Sequence, residues 1–161
     1  MKIHDISMVI HHDMQVYKNK EEKKPIIETV SDFSYATSHE TQISMNLHTG
    51  THMDFPLHML PHGDTSDALD ITKLIREVIV LDMMHVTDGI TAQDLKKKNI
   101  QPNDFVLFKT RNSNEDFYNM EFIYLKEDAS QYLASLKIAG VGVDGLGVER
   151  DHRQQLFGIR E

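Results

Sequence analysis

The chain has 161 residues, 40% apolar and 26% charged, and is long enough for one globular domain with a core. Its net charge of −8, with no basic cluster larger than Lys96–Lys98, argues against nucleic acid as the main partner, because phosphate binding needs a positive surface. No apolar run is long enough to span a bilayer, and the N-terminus carries charge where a secretory signal has its apolar core, so a cytoplasmic protein is expected. Cysteine is absent, so any bound metal must have nitrogen and oxygen ligands.

In the first half of the chain, residues 3–10 predict a strand, and Lys18–Pro25 predicts a solvated polar loop. Residues Thr41–His48 alternate between apolar and polar side chains, which is typical of a strand. This pattern places His48 at the end of the strand, on its polar face.

In the second half, strands alternate with helices, which indicates a mixed α/β or α+β domain. Thr91–Asp94 has the pattern of a capping box, with aspartate in place of glutamate. The predicted helices are Ser66–Glu77, a short one after Thr91 ending at Lys98, and Glu127–Leu136 capped by Asp128; the predicted strands are Val78–Met83, Phe105–Lys109 and Ile138–Val143, whose glycines allow close backbone approach.

The densest chemical pattern is the run H-x-G-T-H-x-D-x-P-x-H over His48–His58. Two histidines four residues apart are also found in the helical H-E-x-x-H zinc motif, but here no glutamate follows the first, and Gly50 between threonines disfavours a helix. We therefore expect a strand, a tight turn and an extended segment. Residues of equal parity share a face in an extended chain, so His52, Asp54 and His58 should point into one cavity, with His48 as a candidate fourth.

Imidazole and carboxylate groups together suit zinc, manganese or iron(II). The alternative is a polar loop in which the histidines make ordinary hydrogen bonds. Because the motif combines three histidines and an aspartate with Gly50 and Pro56, the metal site is favoured over that alternative.

This run resembles the motif of the cyclase family of metal-dependent hydrolases, which includes bacterial kynurenine formamidase and isatin hydrolase. The likeness extends from the N-terminus to about Arg150. Further matching segments are Asp5–Ser7, Pro61–Gly63 with Ser66 and Leu69, Asn103–Thr110 (similar to G-D-x-V-L-x-x-T) and Gly142–Asp144 (similar to G-I-D).

The resemblance implies that His48, His52 and Asp54 bind a divalent metal, zinc or manganese, as one ion or as two bridged by Asp54. It implies that His58 is catalytic and transfers protons. It also implies an α/β swivelling fold with a barrel-like mixed sheet and flanking helices, a small-molecule substrate, and assembly as a homodimer or homotetramer.

Two positions depart from the family pattern. Kynurenine formamidases have a tryptophan in the N-terminal substrate loop, and Tyr17 occupies the comparable place here. Family members continue past the G-I-D strand to a histidine and a glutamate that complete the metal site, and His152 is the candidate for that histidine. Residues 1–161 are thus expected to form one cyclase-like domain that lacks the C-terminal strands of the family.

The function expected from these observations is hydrolysis of an amide, formamide or cyclic amide, as in an arylformamidase. One alternative is a non-catalytic, truncated metal-binding remnant of the family. A second is a polyketide-type cyclase or lyase, because the motif dictates metal chemistry and leaves the substrate open.

Overall fold

The computed structural model describes residues 2–114 and 121–150, which belong to two compact units that divide between Leu69 and Asp70. The first unit contains strands β1 and β2, and the second contains the remaining strands and the α-helices. The strands are β1 (Ile26–Ser31), β2 (Glu40–Ser44), β3 (Val78–Asp82), β4 (Gly89–Ile90), β5 (Phe105–Lys109), β6 (Tyr124–Leu125) and β7 (Gly140–Val143), and the helices are α1 (Ala92–Lys96) and α2 (Glu127–Ser135).

The first unit is built around an antiparallel pair, β1 and β2, in which Ile27 lies opposite Ile43. A two-stranded ladder alone is only marginally stable in water, so this unit depends on side chains packed elsewhere in it. Met14 and Val16 are both 2% exposed and are among its buried apolar side chains.

The second unit is organised by a parallel three-stranded sheet in the order β3-β5-β7. Gly140 and Gly142 on β7 leave room for side chains of the central strand, because a Cβ at Gly142 would lie 2.6 Å from the Leu107 side chain and one at Gly140 would overlap the Phe105 ring. The predicted role of these glycines in close approach is confirmed.

Two helices close the core of this unit. Thr91 and Asp94 form the predicted capping box at the start of α1, with the Asp94 side chain accepting from the Thr91 amide at 2.9 Å. Leu95 on α1 is fully buried and Leu133 on α2 is 3% exposed, in the same apolar cluster as Val106. Burial of this kind contributes roughly 1.5–3 kcal/mol for each large side chain.

The expected cap of α2 needs correction. The N-cap residue is Lys126, and Asp128 lies in the first turn, where its carboxylate accepts a hydrogen bond from the Ala92 amide at 3.0 Å. A carboxylate is favourable in the first turn because it faces the positive end of the helix dipole. Asp128 therefore joins the beginnings of the two helices.

Three other elements differ from the predicted ones, and in each a backbone amide donates to a side-chain oxygen. The strand predicted to reach His48 ends at Ser44, and the Asn46 carboxamide accepts from the His48 amide at 2.8 Å. Residues 3–10 form no strand, and the Met8 amide donates to the Thr51 hydroxyl at 2.9 Å. The helix predicted over Ser66–Glu77 is two short 3-10 segments, Ser66–Ala68 and Ile71–Leu74, because Asp70 caps a new turn at Thr72.

The mixed α/β class is confirmed, with strands β3, β5 and β7 as predicted within a few residues and β1, β4 and β6 as unpredicted strands. The strands of the described residues form three separate sheets, so the barrel-like closure stays a prediction, as does the single domain. In that same part of the chain, every helix is too short or too polar to cross a membrane.

Asp144 joins the carboxyl ends of β5 and β7. Its carboxylate accepts from the Thr110 amide at 2.7 Å, from the Thr110 hydroxyl at 2.8 Å and from the Ser113 hydroxyl. Thr110 is only 1% exposed, so water could not replace the Asp144 carboxylate as an acceptor if that carboxylate were removed.

We therefore expect Asp144→Ala to lower the free energy of unfolding by about 2 kcal/mol, measured by urea denaturation. Asp82→Ala is the matched control, because Asp82 is an exposed carboxylate at the end of β3 that caps only the Met84 amide. Equal losses in the two variants would contradict the role given to Asp144.

Candidate metal centre

The histidine motif begins with a compact turn after β2. The Thr49 amide donates to the Asn46 carbonyl at 3.0 Å, and Gly50 has a φ of +72°, in the left-handed region where glycine is favoured. Thr49 is 6% exposed, so the turn is packed on one side although the histidines beside it are open to solvent. The predicted turn at Gly50 is confirmed.

The Asp54 carboxylate lies between two imidazoles. Its Oδ1 atom is 2.8 Å from His48 Nδ1 and 3.4 Å from His52 Nε2. The His48 ring also lies 4.1 Å from the His58 ring and 5.2 Å from the His52 ring, measured between centroids. The structure thus brings together all four side chains that the motif singled out.

Three of these residues satisfy the distances for a shared ion. One ligand atom from each of His48, Asp54 and His58 lies within 4.8 Å of the other two. The side chains of His48 and Asp54 are 45% and 42% exposed, so the group is open on one side. Imidazole nitrogen and carboxylate oxygen fit a divalent ion of the zinc or manganese type, and an open position is characteristic of catalytic metal centres.

His52 joins this group through its orientation. Its Nδ1 atom lies 2.8 Å from the Gly50 carbonyl oxygen, which can only accept a hydrogen bond. Both ring nitrogens face an acceptor, and the shorter distance to the Gly50 carbonyl favours the neutral tautomer with the proton on Nδ1 and the lone pair of Nε2 on the side that faces Asp54. A histidine that donates one ring N–H to a backbone carbonyl and offers the other nitrogen is the usual arrangement of a metal ligand.

His58 reaches the group by a route that differs from the predicted one. The chain is extended only as far as Phe55, and Pro56–His58 form a 3-10 turn in which the His58 amide donates to the Phe55 carbonyl at 2.8 Å. Pro56 is favourable at the beginning of such a turn because its φ is already helical. The turn, and not the shared parity of an extended chain, places His58 beside His48.

Two further site residues were predicted, Tyr17 and His152. Tyr17 begins the 3-10 segment Tyr17–Asn19, with the Lys23 ammonium 4.7 Å from its ring centroid and the Lys18 ammonium at 5.3 Å. The role of Tyr17 toward substrate stays a prediction. His152 falls outside the described residues.

Sequence reasoning missed the residue that packs against the turn. The Met14 methyl lies so close to Gly50 that a Cβ at Gly50 would be 3.0 Å from Met14 Cε. A methionine 36 positions earlier in the chain carries no sequence signal of this contact.

Comparisons with known proteins agree on the family. The Cyclase family model, described as "Putative cyclase", matches residues 4–150. Cyclase-like protein 2 of Oryza sativa subsp. japonica is 33% identical over 123 residues, which cover 69% of this chain and 44% of that protein. A kynurenine formamidase of Erythrobacter litoralis is 28% identical over 109 residues, which cover 67% of this chain and 50% of that protein.

A solved structure described as a potential metal-dependent hydrolase with cyclase activity is 44% identical, with a TM-score of 0.85 over 94% of this chain and 71% of that chain. The chain spans about half the length of the curated relatives it matches. The family model covers nearly all of the described residues, including the whole histidine motif. This chain therefore belongs to the Cyclase family.

Proposed function

We propose that the chain is a metal-dependent hydrolase that cleaves the C–N bond of an amide, a formamide or a cyclic amide. The observation that carries the proposal is the placement of the Asp54 carboxylate between the His48 and His52 imidazoles, with His58 alongside. The similarity to a kynurenine formamidase favours an arylformamidase-like substrate, and the 44% identical structure favours metal-dependent hydrolysis.

In this proposal His48, His52 and Asp54 hold a zinc or manganese ion, and Asp54 bridges to a second ion if two are bound. Such a metal supplies Lewis-acid activation of water near neutral pH and polarisation of the substrate carbonyl. The Gly50 carbonyl keeps His52 in the tautomer with Nε2 available. For His48, the ring nitrogen that faces the carboxylate is Nδ1, 2.8 Å from Asp54 Oδ1.

His58 performs the proton transfers. Its imidazole accepts a proton from the attacking water as the new C–O bond forms, and returns that proton to the nitrogen as the C–N bond breaks. The products are a carboxylic acid and an amine, and protons balance because water supplies one to each. Its position beside His48, on an exposed surface, leaves the ring able to exchange protons with solvent between turnovers.

A second candidate function is ring closure on a polyketide-like substrate. The name of the matching family and the cyclase activity ascribed to the 44% identical structure favour it. The same metal and the same histidine base would serve, with a carbon acid in place of water as the proton donor to His58. Turnover of formyl-anilides or cyclic amides without any cyclisation product would support hydrolysis, and a cyclisation product without amide turnover would support ring closure.

Loss of a metal ligand is the first test. We expect His52→Ala, like His48→Ala or Asp54→Ala, to remove most of the bound metal, because an open centre with three protein ligands has none to spare. Elemental analysis of the purified protein measures the metal content. His39→Ala is the control, since His39 is an exposed histidine outside the motif and should leave the metal content unchanged. Stoichiometric metal in His52→Ala would contradict the ligand assignment.

The second test separates a proton carrier from a ligand at His58. If His58 transfers protons, His58→Ala should retain the metal and lose kcat by a factor of about 100 or more. The measurement is an amidase assay combined with elemental analysis of the same sample. Because one ligand atom of His58 also lies within 4.8 Å of its counterparts on His48 and Asp54, joint loss of metal and activity would instead make His58 a ligand.

We also propose that the chain self-associates as a homodimer or homotetramer. Large apolar side chains of the first unit are exposed, among them Ile26, Val30 and Ile43 on the β1–β2 pair, and exposed apolar surface and strand edges favour association. Size-exclusion chromatography with light scattering should give a dimer or tetramer mass at micromolar concentration. A monomer mass at every concentration tested would contradict this proposal.

A further inference from the structure

The inner side of the Gly50 turn contacts a buried methionine from the N-terminal segment. Met14 is 2% exposed, and its Cε atom lies where a Cβ at Gly50 would be only 3.0 Å away. That separation is tighter than most Cβ contacts, so a side chain at residue 50 would have to displace the methyl group by a few tenths of an ångström. Glycine itself permits many backbone conformations, so a packing contact of this kind can favour one of them.

The conformation limited in this way determines where a hydrogen-bond acceptor points. With φ at +72°, the Gly50 carbonyl accepts from His52 Nδ1 at 2.8 Å. Rotation of the peptide between Gly50 and Thr51 would turn this acceptor away, and the Asp54 carboxylate that faces Nε2 would then favour the tautomer with the proton on Nε2. Only one tautomer offers a lone pair from Nε2, the atom that lies 3.4 Å from Asp54.

We infer that Met14 is a positioning residue for the metal centre: its methyl group holds the Gly50 turn in the conformation that orients His52. The effect passes from Met14 to the Gly50 backbone, then to its carbonyl and the His52 ring. The inference rests on the proposed function to the extent that it needs a metal bound by His52. It adds a residue outside the histidine motif to the determinants of metal affinity.

A hydrogen bond from the N-terminal segment also contacts the same turn. The Met8 amide donates to the Thr51 hydroxyl at 2.9 Å, next to Gly50. This bond lies at an exposed position, where water can replace it, whereas nothing replaces the packing of a buried methyl group. Loss of the Met14 methyl group should therefore disturb the Gly50 turn more than loss of the Met8–Thr51 hydrogen bond.

Val16 provides a matched control. It lies two residues from Met14 in the same segment and is also 2% exposed, so Val16→Ala also removes buried apolar atoms, though fewer than Met14→Ala, and leaves the methyl group near Gly50 in place. If truncation only loosens the unit, Met14→Ala and Val16→Ala should lower zinc affinity alike. If Met14 positions the Gly50 turn, only Met14→Ala should lower zinc affinity and change the His52 tautomer.

The experiment compares the wild type with Met14→Ala, Met14→Leu and Val16→Ala by two measurements. Zinc affinity is measured by isothermal titration calorimetry, and the His52 tautomer is read from long-range ¹H–¹⁵N correlations of the metal-free protein in the alkaline range, where a free imidazole is neutral. We expect Met14→Ala to weaken zinc binding by about tenfold or more and to give mixed His52 tautomers, the magnitude typical of losing an outer contact to a ligand.

We expect Met14→Leu, which keeps most of the volume, to restore affinity to within about threefold of the wild type. Val16→Ala should retain both the affinity and the single tautomer. If Met14→Ala does not fold by circular dichroism, Met14→Val, which removes Sδ and Cε and adds one γ-carbon, should show the same direction of change.

Equal weakening in Met14→Ala and Val16→Ala would overturn the inference, and so would wild-type affinity with an unchanged His52 tautomer in Met14→Ala. Neither measurement uses turnover. A wild-type protein that binds zinc but hydrolyses no amide would overturn the proposed function and leave this inference standing. A wild-type protein without zinc affinity would overturn both.

Discussion

The candidate metal centre depends on one backbone constraint, the left-handed conformation of Gly50. Gly50 lies between His48 and His52, and its carbonyl orients the second ring. With the turn in place, the carboxylate of Asp54 can approach both imidazoles. A residue with a Cβ would meet both the cost of a positive φ and the methyl group of Met14. The arrangement of His48, His52 and Asp54 therefore depends on residue 50 having no side chain.

The two units show different balances between packing and exposure. The second unit buries a continuous apolar cluster between its parallel sheet and two helices, and its polar groups at the strand ends are satisfied by Asp144. The first unit buries few side chains and exposes many large apolar ones, yet it carries all the clustered histidines. Functional groups commonly lie on such loops, because a loop can present polar side chains to a substrate without burying unsatisfied backbone.

The parts of the structure that could be predicted are those in which local sequence and fold agree. Val78–Asp82 and Phe105–Lys109 are rich in apolar and β-branched residues, and Thr91 with Asp94 carries its own cap, so both strands and the start of α1 were foreseeable. The metal motif was foreseeable because its residues are close in the chain. Ser66–Glu77 was mispredicted because the Asp70 side chain competes locally with helix bonds. Residues 3–10 were mispredicted as a strand, and their Met8 amide donates to Thr51, a residue too distant in the chain for a local pattern to indicate. The contact of Met14 with Gly50 spans too many residues for any periodic pattern to reveal it.

The shortness of the histidine motif has a thermodynamic consequence. His48 and His58 are separated by ten positions, so in the denatured chain the entropy needed to bring them together is small. Unfolded protein should consequently retain appreciable affinity for a divalent ion. Metal stabilises a fold only by the difference between its affinities for the native and denatured states, so saturating ion should raise the melting temperature less than the native dissociation constant alone implies. The turn at Gly50 supplies the difference between the native and denatured affinities. Folding orients the ligand side chains, which the short spacing already keeps close together.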